Sequence, residues 1–186
     1  MTKEWIIAFD CDDVLTDFVS AWRRYLNLKY GLDVQADDIK SWDIENFFPS
    51  LSREQVFGAF SDDVFWEHIY PKEGAPDFLR RLHGEGYEIF VCTSTLHRNI
   101  VNKFKVIQRY FPWIDWRHVI VTAHKELVNC DILVDDAIHN LQGEQHYKIL
   151  MDMPHNRDED FNTKCFRVHN WSELYDTIHR ITKESE

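Results

Sequence analysis

Apolar positions follow two rhythms along this chain. Nearly unbroken apolar runs recur at 5–9, 87–92, 119–121, 132–134 and 147–151. Runs of that length, bounded by polar residues, predict strands buried on both faces. A weaker run at 166–168 predicts a short edge strand. Between the runs, apolar residues return every three or four positions. Phe18, Trp22, Tyr25 and Leu26 predict a helix, and residues 52–60 a shorter one. Ala75, Phe78, Leu79 and Leu82 fit i, i+3, i+4, i+7 behind Gly74, and Gly84 and Gly86 close that helix. Ile100, Phe104, Ile107 and Phe111 share a face of the next, which stops at Pro112. The last helix carries Trp171, Leu174, Tyr175 and Ile178 behind an Asn170/Glu173 capping box.

Strand and helix alternate from Glu73 onward. This predicts an α/β fold, Rossmann-like and three-layered (α/β/α), with a parallel sheet and helices on both faces. Residues 1–16 and 74–186 make up that core. Residues 17–73 form a helical insertion after the first strand. The insertion holds twelve of the chain's 27 aromatic residues. Such density suits a small aromatic core, and some rings could instead line a pocket for a flat ring. The stretch 154–163 is polar and is expected to be an exposed loop.

Composition narrows the partners. The net charge is −11, which opposes a broad grip on polynucleotide phosphates. A small phosphorylated substrate is compatible, because a metal ion and one or two lysines reverse the field locally. The cysteines Cys11, Cys92, Cys130 and Cys165 form no C-x-x-C pair and are expected to stay reduced. No apolar stretch approaches membrane-spanning length. The N-terminal apolar run is short and ends in aspartates, so a cytoplasmic protein is expected. A homodimer is compatible with these features but not required by them.

The chemistry gathers where strands end. Asp10 and Asp12 follow the first strand, Thr93 and Ser94 the second, Lys125 the third, and Asp135 and Asp136 the fourth. In open parallel sheets ligands bind outside the carboxyl ends of the strands. Each residue has an ordinary explanation: Thr93 and Ser94 could cap a helix, Lys125 could be a surface lysine, and an aspartate pair could open a loop. Together they fit phosphoryl transfer, where catalysis is mostly positioning and charge neutralisation. Asp10 is the candidate nucleophile and Asp12 the candidate acid and base. Mg²⁺ would take oxygen ligands from Asp10, the Asp12 carbonyl and Asp136. Thr93 and Ser94 would hydrogen-bond phosphate, with Lys125 offsetting its charge. The ten histidines show no ligand spacing and read as surface or core residues.

The order DCDDVLTD, CTS, Lys125, ILVDD resembles the four motifs of haloacid dehalogenase-type phosphatases across nearly the whole chain. It is most similar to the 5′(3′)-deoxyribonucleotidases, whose DxDGVLADF pattern matches Asp10 to Phe18. Their HN pair matches His155-Asn156, and their terminal helix tryptophan matches Trp171. The resemblance implies a helical cap at 17–73, a direct Mg²⁺ ligand at Asp136 with Asp135 behind it, and Lys103 helping to hold phosphate. It places Phe18 and Trp42 around sugar and base. Asp13 departs from the family glycine. The expected activity is Mg²⁺-dependent dephosphorylation of (deoxy)nucleoside monophosphates through an aspartyl phosphate. The alternative is another small phosphomonoester, such as a sugar phosphate. A receiver-type signalling module also groups Asp, Thr and Lys at strand ends. The paired aspartates on one strand end and the long insertion argue against that reading.

Overall fold

The computed structural model describes residues 4–41, 43–143, 147–157 and 165–184. Its centre is β1 (Ile6–Phe9), whose Ile7, Ala8 and Phe9 are fully buried. Around it lie β2 (Glu88–Thr93), β3 (Val119–Val121), β4 (Ile132–Asp135), β5 (Tyr147–Met151) and β6 (Cys165–Val168). All neighbouring strands are parallel, in the order β3-β2-β1-β4-β5-β6. The chain moves outward from β1 through β2 to β3, then returns to pair β4 with β1. The strand order therefore reverses between β1 and β4, and a crevice opens at their carboxyl ends.

One face of the sheet carries the long helices. These are α4 (Ala75–Gly84), α5 (Ile100–Tyr110) and α6 (Trp171–Glu184). Leu79, Leu82, Ile107, Leu174 and Ile178 pack there against Ile7, Phe9, Val91 and Val134. Gly74 starts α4 at φ +81°, where a Cβ would lie 3.1 Å from the Phe78 ring and 3.3 Å from Trp171 Cβ. Only glycine combines that φ with that clearance.

The three-layer α/β architecture is the expected one, and the opposite face is the more lightly covered. It shows Ala8, Cys92, Leu133 and Leu150, covered by Cys130, Ile138 and Leu141. Among the described residues its outer layer consists of short 3₁₀ turns, Lys125–Leu127 and Ile138–Leu141. Right-handed crossovers running in opposite directions along a sheet fall on opposite faces. The connections at 122–131 and 136–146 serve this face and are too short for a helix plus its turns.

Between β1 and α4 the described chain forms α1 (Phe18–Tyr30), α2 (Arg53–Gly58), α3 (Asp63–Glu67) and 3₁₀ turns, with no strand. Gly31, at φ +66°, closes α1 through its amide to Asn27 O. The segment has its own apolar cluster, including Trp22, Leu26, Phe48, Val56 and Phe65, which meets the rest of the chain at Val106 of α5. Phe18, Trp22, Phe57, Phe60, Phe65 and Trp66 contact one another ring to ring at 4.6–6.4 Å. Most of the aromatic density is therefore packing within the segment.

Candidate active site

The acidic loop grows out of the ladder itself. Asp10 N still donates to Val134 O at 2.8 Å, so Asp10 is held in strand geometry beside β4. The chain then turns sharply: Leu15 N, Thr16 N and Thr16 Oγ1 all donate to Cys11 O, at 3.1, 2.9 and 3.0 Å. Asp13 occupies this turn at φ 55°, the only positive φ of a described non-glycine residue. Aspartate is among the side chains that tolerate this region.

Lys125, in the turn after β3, is buried with its Nζ between two carboxylates. It lies 2.5 Å from Asp10 Oδ1 and 2.6 Å from Asp135 Oδ2. Burial alone would lower its pKa, but Asp10 and Asp135 outweigh burial and hold it above the usual lysine range. Asp135 Oδ1 also accepts from Ala137 N at 2.9 Å and Asn140 Nδ2 at 3.1 Å. Both Asp135 oxygens are thus engaged in fixing Lys125 and the β4 turn. Lys103 of α5, also buried, hydrogen-bonds Asp12 Oδ1. Its Nζ lies 4.7 Å from the Phe18 ring centre and 5.7 Å from that of Trp66. One lysine therefore joins the acidic loop to the inserted helices.

Asp136 is anchored from the neighbouring strand, by the turn that follows β5. His155 Nε2 and Asp136 Oδ2 share a hydrogen bond of 2.9 Å. Asn156 Nδ2 donates to Asp136 O and Met151 O, both at 2.8 Å. This corrects the expectation of an exposed loop from 154. Pro154–Asn156 is a 3₁₀ turn whose His155 and Asn156 are buried, because the Asn156 amide satisfies two main-chain carbonyls. Residues 158–163 lie outside the described residues.

The structure brings Asp10, Asp12, Ser94, Lys125, Asp135 and Asp136 together around one cavity of about 280 Å³, with Asn140 and His139 at its side. Thr93 ends β2 nearby. Its Oγ1 is buried and has no hydrogen-bond partner among the described residues, an orphan that awaits an acceptor or donor. Phe18 touches Lys103 but does not line the cavity. Trp42 lies outside the described residues. The sequence reading missed the anchoring by His155, Asn140 and Asn156, and the HN pair was the available signal.

Asp10, Asp135 and Asp136 each offer a carboxylate oxygen within 4.8 Å of the others, all buried. Burial, then the Asp135 and Asp10 charges, pushes the Asp136 carboxyl well above its ordinary value. Burial likewise raises Asp135 and Asp12, with Lys125 and Lys103 opposing. Crowded hard oxygen donors with excess negative charge fit a divalent cation such as Mg²⁺.

Residues 4–184 match the family described as 5′ nucleotidase, deoxy (pyrimidine), cytosolic type C protein. The chain belongs to this family. It is a phosphoric monoester hydrolase of 5′-nucleotidase type. A 5′(3′)-deoxyribonucleotidase of Bacillus subtilis is 32% identical over 171 residues, covering 91% of this chain and 95% of that protein. A 5′(3′)-deoxyribonucleotidase of Clostridium acetobutylicum is 28% identical over 167 residues, covering 90% and 91%. Among solved structures, a predicted phosphatase from Clostridium acetobutylicum aligns at TM-score 0.63 and 14% identity, over 95% of this chain and 99% of that one. A putative HAD-hydrolase from Bacillus subtilis, bound to magnesium, aligns at TM-score 0.57 and 14% identity, over 95% and 99%. At that identity both speak for the fold of this family member. No described helix is long and apolar enough to cross a membrane.

Proposed function

We propose that the chain dephosphorylates deoxyribonucleoside monophosphates, with Mg²⁺, through an aspartyl phosphate on Asp10. What carries this reading is the convergence of Asp10, Asp12, Ser94, Lys125, Asp135 and Asp136 on one cavity at the β1/β4 switch point. The printed names of the Bacillus and Clostridium relatives supply the substrate class.

An Asp10 carboxylate oxygen attacks phosphorus, and the bond from phosphorus to the ester oxygen breaks. Asp12, whose burial favours the protonated form, gives its proton to the leaving alkoxide. Water then attacks the acyl phosphate and loses a proton to Asp12. The bond between phosphorus and Asp10 breaks, releasing inorganic phosphate and restoring both carboxyl groups. Thr93 Oγ1, Ser94 and Lys125 hold phosphate oxygens, and Lys103 keeps Asp12 oriented between the two steps. Asp10, the Asp12 carbonyl and Asp136 would hold Mg²⁺, with Asp135 behind them. Bound there, the ion supplies positive charge that lets a phosphate dianion approach the carboxylates.

Residues 17–73 act as a cap over the core formed by 1–16 and 74–186, with Phe18 at the junction. The acidic net charge favours a small substrate over a polynucleotide. The four cysteines occur as free thiols, which suits the cytoplasm. A second reading, a sugar phosphate or similar ester, draws on the cap aromatics packing mainly on one another. A panel of 5′- and 3′-(deoxy)nucleotides and sugar phosphates with Mg²⁺ separates the two. Preferential phosphate release from deoxynucleotides supports the first reading. Activity confined to sugar phosphates replaces it with the second.

A further inference from the structure

Asp13 stands where the family pattern has glycine, and the residue is buried beside an already acidic site. Burial, then the charge of Asp136, pushes its pKa well above the ordinary value. A costly buried carboxylate needs compensation, and the contacts show where it comes from. Both Asp13 oxygens lie 3.3 Å from Val19 N, in the first turn of α1. The residue preceding α1, Asp17, makes no side-chain cap bond. Asp13 therefore caps α1 from four positions upstream of Asp17, its carboxyl oxygens accepting from the amide at the positive end of the helix.

The second partner is Lys72, on the chain returning from the insertion. Its Nζ lies 3.9 Å from Asp13 Oδ1, 3.6 Å from Asp17 Oδ1 and 3.4 Å from Met153 Sδ. Backbone bonds lace the same two segments together: Asp17 N donates to Tyr70 O and Lys72 N to Leu15 O, each at 2.9 Å. The outgoing and returning connections of the insertion thus run side by side, and Lys72 closes them across two carboxylates. Phe18, the first residue of α1, is fixed by this arrangement against Lys103, which holds Asp12.

We infer that Asp13 and Lys72 are positioning residues that clamp the base of the insertion and so set Phe18 and the start of α1 against Lys103, whose partner Asp12 lines the acidic cavity. Glycine at position 13 satisfies the turn but offers no carboxylate to either α1 or Lys72. The pair acts on the placement of the nucleoside portion of the substrate rather than on phosphoryl transfer. This inference rests on the cap reading of residues 17–73.

The test uses the full chain with Lys72→Met, Lys72→Arg and Asp13→Gly. Hydrogen exchange is followed in peptides from 14–24 and 66–73 and compared with the β-strands. Lys72→Met is expected to speed exchange in those two segments about tenfold and leave the strands unchanged, with Lys72→Arg restoring protection. Asp13→Gly does the same and keeps the turn. In kinetics, KM for a deoxynucleoside monophosphate rises about tenfold in Lys72→Met, while kcat, and turnover of p-nitrophenyl phosphate, stay within about twofold. Unchanged exchange in both Lys72→Met and Asp13→Gly overturns the clamp, as does a uniform loss of protection across the strands. Equal losses on both substrates overturn the positioning role. If wild-type protein releases no phosphate from nucleotides, the nucleotidase reading fails, and the exchange experiment still decides the clamp.

Discussion

Lys125 Nζ bridges Asp10 and Asp135, 2.5 Å from the first and 2.6 Å from the second, and all three side chains are buried. The lysine arrives from the turn after β3, and the carboxylates from the ends of β1 and β4. Three strand ends are thus tied by one ammonium group. Lys125→Met keeps the side-chain length and removes the charge. Turnover should fall by at least about a hundredfold, the scale of losing one preorganised donor to a developing charge. Steady-state kinetics check this, with circular dichroism confirming the fold.

His155 plays a quieter part. Its bond to Asp136 Oδ2 fixes the orientation of a carboxylate expected to bind metal. His155→Ala should weaken Mg²⁺ binding about 10- to 100-fold, the usual cost of losing a partner behind a ligand. Calorimetric titration of metal-free protein reads this directly.

Asp136 also sets a pH dependence. Burial and the Asp135 and Asp10 charges hold its folded-state pKa well above the unfolded value of about 3.9. Across that window the folded state binds more protons than the unfolded one, so this group's contribution to stability falls as pH rises. With chelator present, Asp136→Asn, which cannot ionise, should gain stability relative to wild type as pH rises above the unfolded value of about 3.9, as urea denaturation at several pH values would establish. Added Mg²⁺ should shrink the difference by stabilising wild type at the higher pH.

Phe65 anchors the inserted segment. It is fully buried and meets Phe18, Tyr25, Phe60 and Trp66 ring to ring. Phe65→Ala should cost about 3–5 kcal/mol in urea unfolding, the range for truncating a buried aromatic. Because this cluster is separate from that under the sheet, exchange should rise first within residues 18–67.

The sheet and the acid, hydroxyl and lysine set were legible because each signal is local. An apolar run stops, a polar group follows, and parallel strands bring their ends to one edge. Lys103 was legible only through the family resemblance. On a helix it reads as an ordinary lysine, and its burial depends on Asp12, Phe18 and Trp66 converging from elsewhere. The resemblance picks out His155 and Asn156, but their anchoring role was hidden for a similar reason. They become buried only through the Asp136 carboxylate, which holds His155, and the carbonyls of Met151 and Asp136, which hold Asn156, all brought beside them by the sheet. The short 3₁₀ turns over one face were not legible because strand periodicity says nothing about what covers a face. Asp13 looked like an added charge, and the amide of Val19 and the ammonium of Lys72 give it a purpose.

Asp10 is expected to carry the phosphoryl group during turnover. Wild-type protein can be mixed with a deoxynucleoside monophosphate and Mg²⁺, quenched in acid within the first turnovers, digested and analysed by mass spectrometry. One added phosphoryl group is expected on the peptide containing Asp10, absent from Asp10→Asn, which also loses turnover. Phosphate carried by another residue, or wild-type turnover in Asp10→Asn, would contradict it.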